Sequence, residues 1–222
     1  MIAAVLALLG TASGCGATNT RQEHQTGTAT TAKSVDSRTV VVTIGDSIMK
    51  GTGLTPPEAW PALLAQSNHW QLTNLGCNSA GFHAIGNLDD CNSDFEGLVA
   101  TAAALHPSIV IISGSSNDLG QENKTLSADT IAALKALRAA LPTAKIVGLS
   151  PVWNDTPVPA QLTQIDRQVR QAVLAVRGQY LEIAQPLAGR PELLQEDEVH
   201  PTAAGQHALA TAIAKAFRSA HL

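Results

Sequence analysis

Five short apolar runs, separated by longer and more polar segments, organise the chain from residue 39 onward. They cover residues 39–44, 70–75, 108–113, 145–149 and 180–183. Each run is short and nearly continuous in its apolar character, a pattern typical of strands that are covered on both faces. The runs therefore predict five strands of a parallel sheet.

The segments between these runs carry apolar residues at helical spacing. Helices are predicted over residues 58–66, 94–105, 127–141, 161–177 and 202–220. Ser127 is a natural N-cap for the third of them, and Pro142 stops it. Because strands alternate with helices, the sequence predicts an α/β fold, a three-layer α/β/α sandwich with a five-stranded parallel sheet, within a domain that spans residues 39–222.

The N-terminal part of the chain has a different character. Residues 2–9 form an apolar run that is too short to span a bilayer as a helix and suits the core of a signal peptide. The segment that ends at Cys15 resembles a bacterial lipobox, whose cysteine is lipidated after cleavage. We therefore expect residues 1–15 to direct export, with a lipid anchor on Cys15 that associates the protein with the cell envelope; plain secretion is the alternative. Residues 16–38, rich in Thr, Ala and Gly, are expected to form a flexible linker.

Charge and cysteine content narrow the classes of function. The formal net charge is −4 at pH 7 and no block of Lys and Arg is present, so nucleic acid is not an expected partner. Cys77 and Cys91 are an even pair in a chain expected to be exported, which predicts a disulfide; two unrelated buried thiols are the alternative. No HExxH motif, zinc-type cysteine set or P-loop occurs, so neither a metal nor another cofactor is expected.

Candidate chemistry lies where a parallel sheet gathers it, at the carboxyl ends of the strands. Ser47 follows the first run and Asn117 follows the third, while Asp197 and His200 come shortly after the fifth. Taken singly, the serine is explained as a helix cap and the asparagine as a turn residue. Three residues of spacing let the Asp197 carboxylate reach Nδ1–H of His200 and leave Nε2 to take a proton from a serine. Together these groups are the parts that an acyl-transfer site requires.

Four sequence blocks occur in an order that resembles the GDSL/SGNH hydrolase family over nearly all of residues 39–222. They are GDS at 45–47, NLGCNSAG at 74–81, GSSND at 114–118 and DEVHP at 197–201. The resemblance implies a flavodoxin-like SGNH hydrolase fold and a serine esterase without a cofactor. It implies Ser47 as nucleophile, His200 as general base and Asp197 as the group that orients the base. Asp46 is expected to brace the loop.

The resemblance also implies an oxyanion hole. Its donors are the Ser47 amide, the Gly81 amide and the Asn117 side chain. The family's glycine usually falls five residues after the asparagine of the second block, here Asn74, and this chain has Ser79 at that place. Either Gly81 or Ser79 therefore supplies the second backbone N–H.

The expected reaction is two-step hydrolysis of a carboxylic ester of a lipid, a glycan or a small molecule, by a monomer. The same site is able to pass the acyl group to a sugar hydroxyl, so an O-acyltransferase is one alternative. A non-catalytic envelope-binding lipoprotein on the same scaffold is another. Trp153 is expected either to line the crevice or to pack under the loop that follows the fourth strand.

Overall fold

A computed structural model describes residues 38–222 of the chain. The predicted leader with Cys15, and the predicted linker except for its last residue, lie outside the described residues. In the described part, no helix is both long and apolar enough to cross a membrane.

One parallel sheet forms the centre of the fold and confirms the predicted fold class. Its strands are β1 (Val40–Gly45), β2 (Gln71–Gly76), β3 (Ile109–Ser113), β4 (Lys145–Leu149) and β5 (Gln179–Leu181). They lie in the order β2-β1-β3-β4-β5, and every neighbouring pair is parallel. The last strand ends before the predicted residue 183, because the Ile183 N–H donates to the Ser150 hydroxyl at 2.9 Å and leaves the ladder.

Six α-helices accompany the sheet in the described part of the chain. They are α1 (Ser47–Lys50), α2 (Trp60–Asn68), α3 (Val99–Ala104), α4 (Asn123–Ala140), α5 (Ala160–Ala175) and α6 (Ala203–Ser219). The helix predicted from residue 94 begins only at Val99, because the Phe95 N–H donates to the Gly81 carbonyl at 2.9 Å and belongs to the preceding loop. Conversely, α4 begins one turn earlier than predicted, and the buried Leu126 extends its apolar stripe.

The helices cover both faces of the sheet, which gives the predicted three layers. Alternate residues of each strand face opposite sides, as the two-residue period of a strand requires. Helices α3, α4 and α5 pack on the face that presents Val42, Ile44, Val110, Ile112 and Ile146. Helices α2 and α6 pack on the face that presents Val41, Ile109, Ile111, Val147 and Leu149.

The order of the strands determines where a crevice opens. From β1 the chain crosses to β2 on one side, and it then returns to place β3 on the other side. The loops that follow β1 and β3 therefore lead in opposite directions, and a crevice between such loops is where ligands bind in open α/β sheets. Ser47 and Asn117 follow these two strands.

Candidate active site

Ser47 is the first residue of the short helix α1, directly after β1. The helix is capped by Asp46, whose Oδ1 accepts the N–H groups of Ile48 at 3.0 Å and Met49 at 3.4 Å. Ser47 is only 8% exposed, and its hydroxyl makes no hydrogen bond within the described residues. The capping role that commonly explains a serine after a strand is therefore filled by its neighbour, and the Ser47 hydroxyl is free for chemistry.

A buried hydrogen-bond network joins the loops that follow β1, β2 and β3. The Ser115 hydroxyl donates to Asp46 Oδ2 at 2.8 Å, and its oxygen accepts the Asn117 N–H at 3.1 Å. Asn117 Nδ2 donates to the Ala80 carbonyl at 2.9 Å. That bond uses one of the two amide hydrogens and fixes the plane of the amide, so the second hydrogen has a defined direction.

Asp46 is the carboxyl group of this network. Burial raises the pKa of its carboxyl, while the hydrogen bonds from Ser115 and the two capping N–H groups, and the nearby His200, act to lower it. Asp46 thus braces the turn as expected, through the cap and through Ser115.

Asp118 organises the loop after β2, a role that the sequence analysis did not assign. Its buried carboxylate accepts the N–H groups of Phe82 at 2.8 Å, His83 at 3.0 Å and Ala84 at 3.0 Å. Any side chain at Gly81 would collide with this carboxylate, so the glycine is needed for the close approach. The sequence contained no signal beyond an Asn-Asp pair that also suits an ordinary turn.

The structure corrects the choice of Gly81 as an oxyanion donor. The Gly81 N–H is buried and donates to the Ala84 carbonyl at 2.9 Å, so it is already engaged. Ser79 is exposed, and within the described chain its N–H makes no hydrogen bond. Its φ of 66° lies in the left-handed region, which is where a glycine would be favoured. Of the two candidates, Ser79 is the one with an available N–H.

Asp197 and His200 form a close pair in the loop before α6. Asp197 Oδ2 lies 2.6 Å from His200 Nδ1, and its Oδ1 accepts the N–H groups of Val199 at 3.0 Å and His200 at 2.9 Å. The hydrogen bond from His200 is the main cause that lowers the pKa of Asp197 to about 2. The carboxylate is therefore ionised at neutral pH, and it holds the proton of the imidazole on Nδ1.

The Asp197–His200 pair makes no hydrogen bond to Ser47 within the described residues. Among the described residues, no hydrogen bond joins Ser47 Oγ to His200, and Nε2 of the imidazole is unbonded. Catalytic hydrogen bonds are often long in ligand-free sites and shorten when substrate binds. The structure thus brings Asp197 and His200 together, but it does not complete the contact with Ser47.

A disulfide closes the loop that contains Ser79. It joins Cys77 to Cys91, with 6.0 Å between their Cα atoms, and confirms the predicted pairing. Asp90, next to Cys91, accepts the Asn78 N–H at 2.8 Å and pairs with Lys50 of α1 at 2.5 Å. The loop is therefore fastened both to itself and to the helix that begins with Ser47.

Replacing Cys77 and Cys91 together by serine should lower the free energy of unfolding by about 3 kcal/mol, because the disulfide closes a loop of roughly 15 residues in the unfolded chain. Denaturant unfolding of both proteins measures the effect. A free energy of unfolding identical to that of the wild type would show that the disulfide does not stabilise the fold.

Trp153 packs under the loop after β4. Its indole N–H donates to Thr156 Oγ1 at 3.0 Å, and its backbone N–H donates to Gln185 Oε1 at 2.9 Å. The ring lies against the larger apolar core. Of the two expectations for Trp153, these contacts favour packing.

In the described part, no three His, Cys, Asp or Glu side chains cluster as metal ligands would.

Comparison with known proteins places this site in context. The sequence model of the GDSL-like lipase/acylhydrolase family matches residues 43–208. The GDSL lipase Rv0518 of Mycobacterium tuberculosis is 30% identical over 186 residues, which cover 78% of this chain and 79% of the relative.

Solved structures share the fold at lower identity. The psychrotrophic esterase EstA from Pseudoalteromonas sp. superposes with a TM-score of 0.63 at 19% identity, over 81% of this chain and 97% of that chain. The salicylyl-acyltransferase SsfX3, from a tetracycline biosynthetic pathway, superposes with a TM-score of 0.61 at 20% identity, over 84% of this chain and 56% of that chain.

Proposed function

Because the chain belongs to the GDSL-like lipase/acylhydrolase family, we propose that it hydrolyses carboxylic esters in two steps through Ser47, His200 and Asp197. The enzyme class is carboxylic ester hydrolase. The observation that carries the proposed roles is the 2.6 Å contact between Asp197 and His200, in a fold that leaves the Ser47 hydroxyl without a structural task.

In the first step, His200 Nε2 takes the proton of Ser47 while Oγ attacks the acyl carbonyl. Asp197 keeps the other ring nitrogen protonated and stabilises the imidazolium that forms. The tetrahedral intermediate collapses, and the alcohol leaves with the proton from His200. In the second step, water gives a proton to His200 and attacks the acyl-enzyme. The second tetrahedral intermediate then releases the acid, and His200 returns the proton to Ser47 Oγ.

Three donors are proposed for the oxyanion. They are the N–H groups of Ser47 and Ser79, which make no hydrogen bond within the described chain, and the second hydrogen of Asn117 Nδ2. The donors come from the segments that follow β1, β2 and β3. The hydrogen bonds of the buried Asp46–Ser115 network fix the positions of these segments relative to one another. Donors fixed in advance stabilise developing charge without reorganising during the reaction.

Replacing Asn117 by alanine should lower kcat by roughly 10²- to 10³-fold with little change in KM, because the lost donor acts mainly on the oxyanion of the transition state. Steady-state hydrolysis of an activated ester measures both constants. Asn68→Ala is the matched control, since Asn68 Nδ2 also donates to a backbone carbonyl, at 2.8 Å, but lies on α2. An Asn117→Ala enzyme with the kcat of the wild type would show that Asn117 is not an oxyanion donor.

The proposed substrate is an ester of the cell envelope or of the extracellular space. The support is the apolar leader expected at residues 1–15 and the similarity to a lipase. Val199, next to His200 in the chain, is a large apolar side chain that is exposed. It favours an ester with an apolar acyl part.

Acyl transfer to a sugar hydroxyl is the second candidate, because the fold is shared with an acyltransferase. Hydrolysis should be measured with esters of increasing acyl length and with acetylated glycans, using wild type and Ser47→Ala, with and without a sugar acceptor. Free acid as the sole product supports the hydrolase, and acylated sugar in preference to free acid supports the transferase. If no ester is turned over in a way that depends on Ser47, both the hydrolase and the transferase are contradicted. That result would favour a non-catalytic envelope-binding lipoprotein.

A further inference from the structure

Two glutamine side chains connect the segment that carries His200 to the segment that carries Ser47. Gln195 Nε2 donates to the Thr52 carbonyl at 2.8 Å and to the Pro201 carbonyl at 2.9 Å. Gln206 Nε2 donates to the Ile48 carbonyl at 2.9 Å, and its Oε1 accepts the Trp60 N–H at 2.8 Å. Among the described residues, no other hydrogen bond joins residues 195–206 to residues 46–60.

The loop that carries the imidazole has little other support on this side. Residues 196–199 are exposed, and the loop is closed on itself by the Gln195 N–H, which donates to the His200 carbonyl at 2.8 Å. Its closed shape keeps Asp197 and His200 together but does not set their distance from α1. Asn154 Nδ2 donates to the Glu198 carbonyl at 3.2 Å, which ties the loop to the segment after β4 and not to α1. Since no hydrogen bond joins Ser47 to His200, their distance depends on the contacts at the two ends of the loop, where Gln195 and Gln206 lie.

Gln206 anchors the end that leads into α6. Its side chain is 0% exposed and lies among apolar core residues, yet both ends of its amide are paired with backbone groups. A buried amide is held where its partners are, because leaving either partner unpaired is unfavourable. One partner belongs to Ile48, the residue after Ser47, so this bond fixes the start of α6 against the helix turn of the proposed nucleophile.

Gln195 anchors the other end of the loop. Its amide touches the chain at Gly53, where φ is 85° and any side chain would collide with Oε1 of the glutamine. The segment after α1 thus has the left-handed backbone and the open space that this amide needs. One nitrogen then holds both the Thr52 carbonyl and the Pro201 carbonyl, next to His200.

We propose that Gln195 and Gln206 are positioning residues that set the approach of His200 Nε2 to Ser47 Oγ, and with it the rate at which the acyl-enzyme forms. Neither side chain needs to contact the substrate for this role. The inference rests on the proposed function, because it matters only if these two atoms exchange a proton.

The test compares Gln195→Met and Gln206→Met with the wild type and with Gln161→Met. Gln161 is a matched control: its amide also spans two backbone groups, accepting the Gly120 N–H at 2.8 Å and donating to the Gln121 carbonyl at 2.7 Å. It joins α5 to the segment after β3 and makes no contact between the His200 segment and the Ser47 segment. In the two site variants, kcat and the rate of phosphonylation by a fluorophosphonate should fall by roughly 10- to 100-fold, with KM unchanged, because a small misplacement of reacting groups has this effect. Gln161→Met should react like the wild type.

A second measurement separates displacement of the pair from its disruption. The proton that His200 Nδ1 shares with Asp197 should keep its low-field NMR resonance in both site variants, because their substitutions leave that 2.6 Å contact in place. Loss of the resonance would overturn the positioning role, as would a wild-type kcat in folded variants or an equal loss in Gln161→Met. If Gln206→Met fails to fold, the kcat and the phosphonylation rate of Gln195→Met decide whether the positioning role holds, because Gln195 is only half-buried. A Ser47→Ala enzyme that retains activity would instead overturn the proposed function itself.

Discussion

Replacing Ser47 by alanine is expected to lower kcat for ester hydrolysis on the order of 10⁶-fold, since a triad without its nucleophile retains only binding and oxyanion stabilisation. The fold should be unaffected. Asp46 caps α1, and the Ser47 hydroxyl makes no hydrogen bond within the described residues, so its removal breaks no structural contact. Turnover of an activated ester and thermal unfolding of the same preparation measure the two expectations.

The matched control is Ser127→Ala, on α4, where the side chain also makes no hydrogen bond within the described chain. It should hydrolyse the ester like the wild type. A Ser47→Ala enzyme that keeps a large part of the activity would show that another group attacks the ester. A variant that loses activity together with its thermal transition would mean that Ser47 supports the fold instead.

Replacing Asp197 by asparagine is expected to lower kcat by roughly 10⁴-fold, because the imidazole is then held in the wrong tautomer. The amide oxygen of asparagine still accepts the N–H groups of Val199 and His200, so the loop keeps its shape. The amide nitrogen, however, takes the place of Oδ2 and presents a donor to Nδ1. Nε2 then carries the proton and is unable to accept one from Ser47.

The chain provides a matched control for this substitution as well. His83 Nδ1 lies 2.7 Å from Asp129 Oδ2, which makes a second His–Asp pair of similar geometry. Asp129→Asn should therefore leave kcat close to that of the wild type. A large loss of activity in Asp129→Asn with little loss in Asp197→Asn would move the proposed general base from His200 to His83.

The dependence of folding stability on acidic pH tests the Asp197–His200 contact independently of activity. The pKa of Asp197 is lowered to about 2 in the folded chain, mainly by the His200 hydrogen bond, from an ordinary value of 3.8. A lowered pKa in the folded state means that the pair stabilises the fold fully above about pH 4, and that this contribution is lost as the pH falls toward 2. Since Asp197 is half-exposed, solvent screens the interaction and the loss is small. In Asp197→Asn this part of the acid sensitivity should be absent.

The layers and the sheet were predictable because they depend on periodicity. Buried strands have continuous apolar runs, and the alternation of runs with amphipathic segments fixes a parallel sheet with helices on both faces. Ser47 and Asn117 became candidates by the same reasoning, since polar residues after buried strands lie at one edge of such a sheet. Asp197 and His200 became candidates through their three-residue spacing, which lets a carboxylate reach the imidazole.

The second oxyanion donor was not predictable in this way. The choice between Gly81 and Ser79 depends on which backbone N–H an irregular loop leaves unpaired, and no periodic pattern reports that. The loop takes its shape from Asp118, which accepts three N–H groups, and from the disulfide of Cys77. Family spacing pointed to Ser79 and residue type pointed to Gly81, and only the hydrogen bonds distinguish them.

The contacts of Gln195 and Gln206 were also not predictable from the sequence. Each amide binds a backbone carbonyl that is more than a hundred residues away along the chain, and no sequence pattern reports such a contact. The sequence thus pointed to the groups that are proposed to react, while the groups that are proposed to position them became visible only in three dimensions.

In the proposed mechanism, Ser47 attacks the acyl carbon with His200 as its base. The most direct test is the mass of the intact protein after reaction with a fluorophosphonate, followed by peptide mapping of the labelled residue. We expect one phosphonyl group on Ser47, absent from Ser47→Ala and formed far more slowly in Asp197→Asn. A folded wild-type protein that stays unlabelled, or that carries the label on another residue, would contradict it.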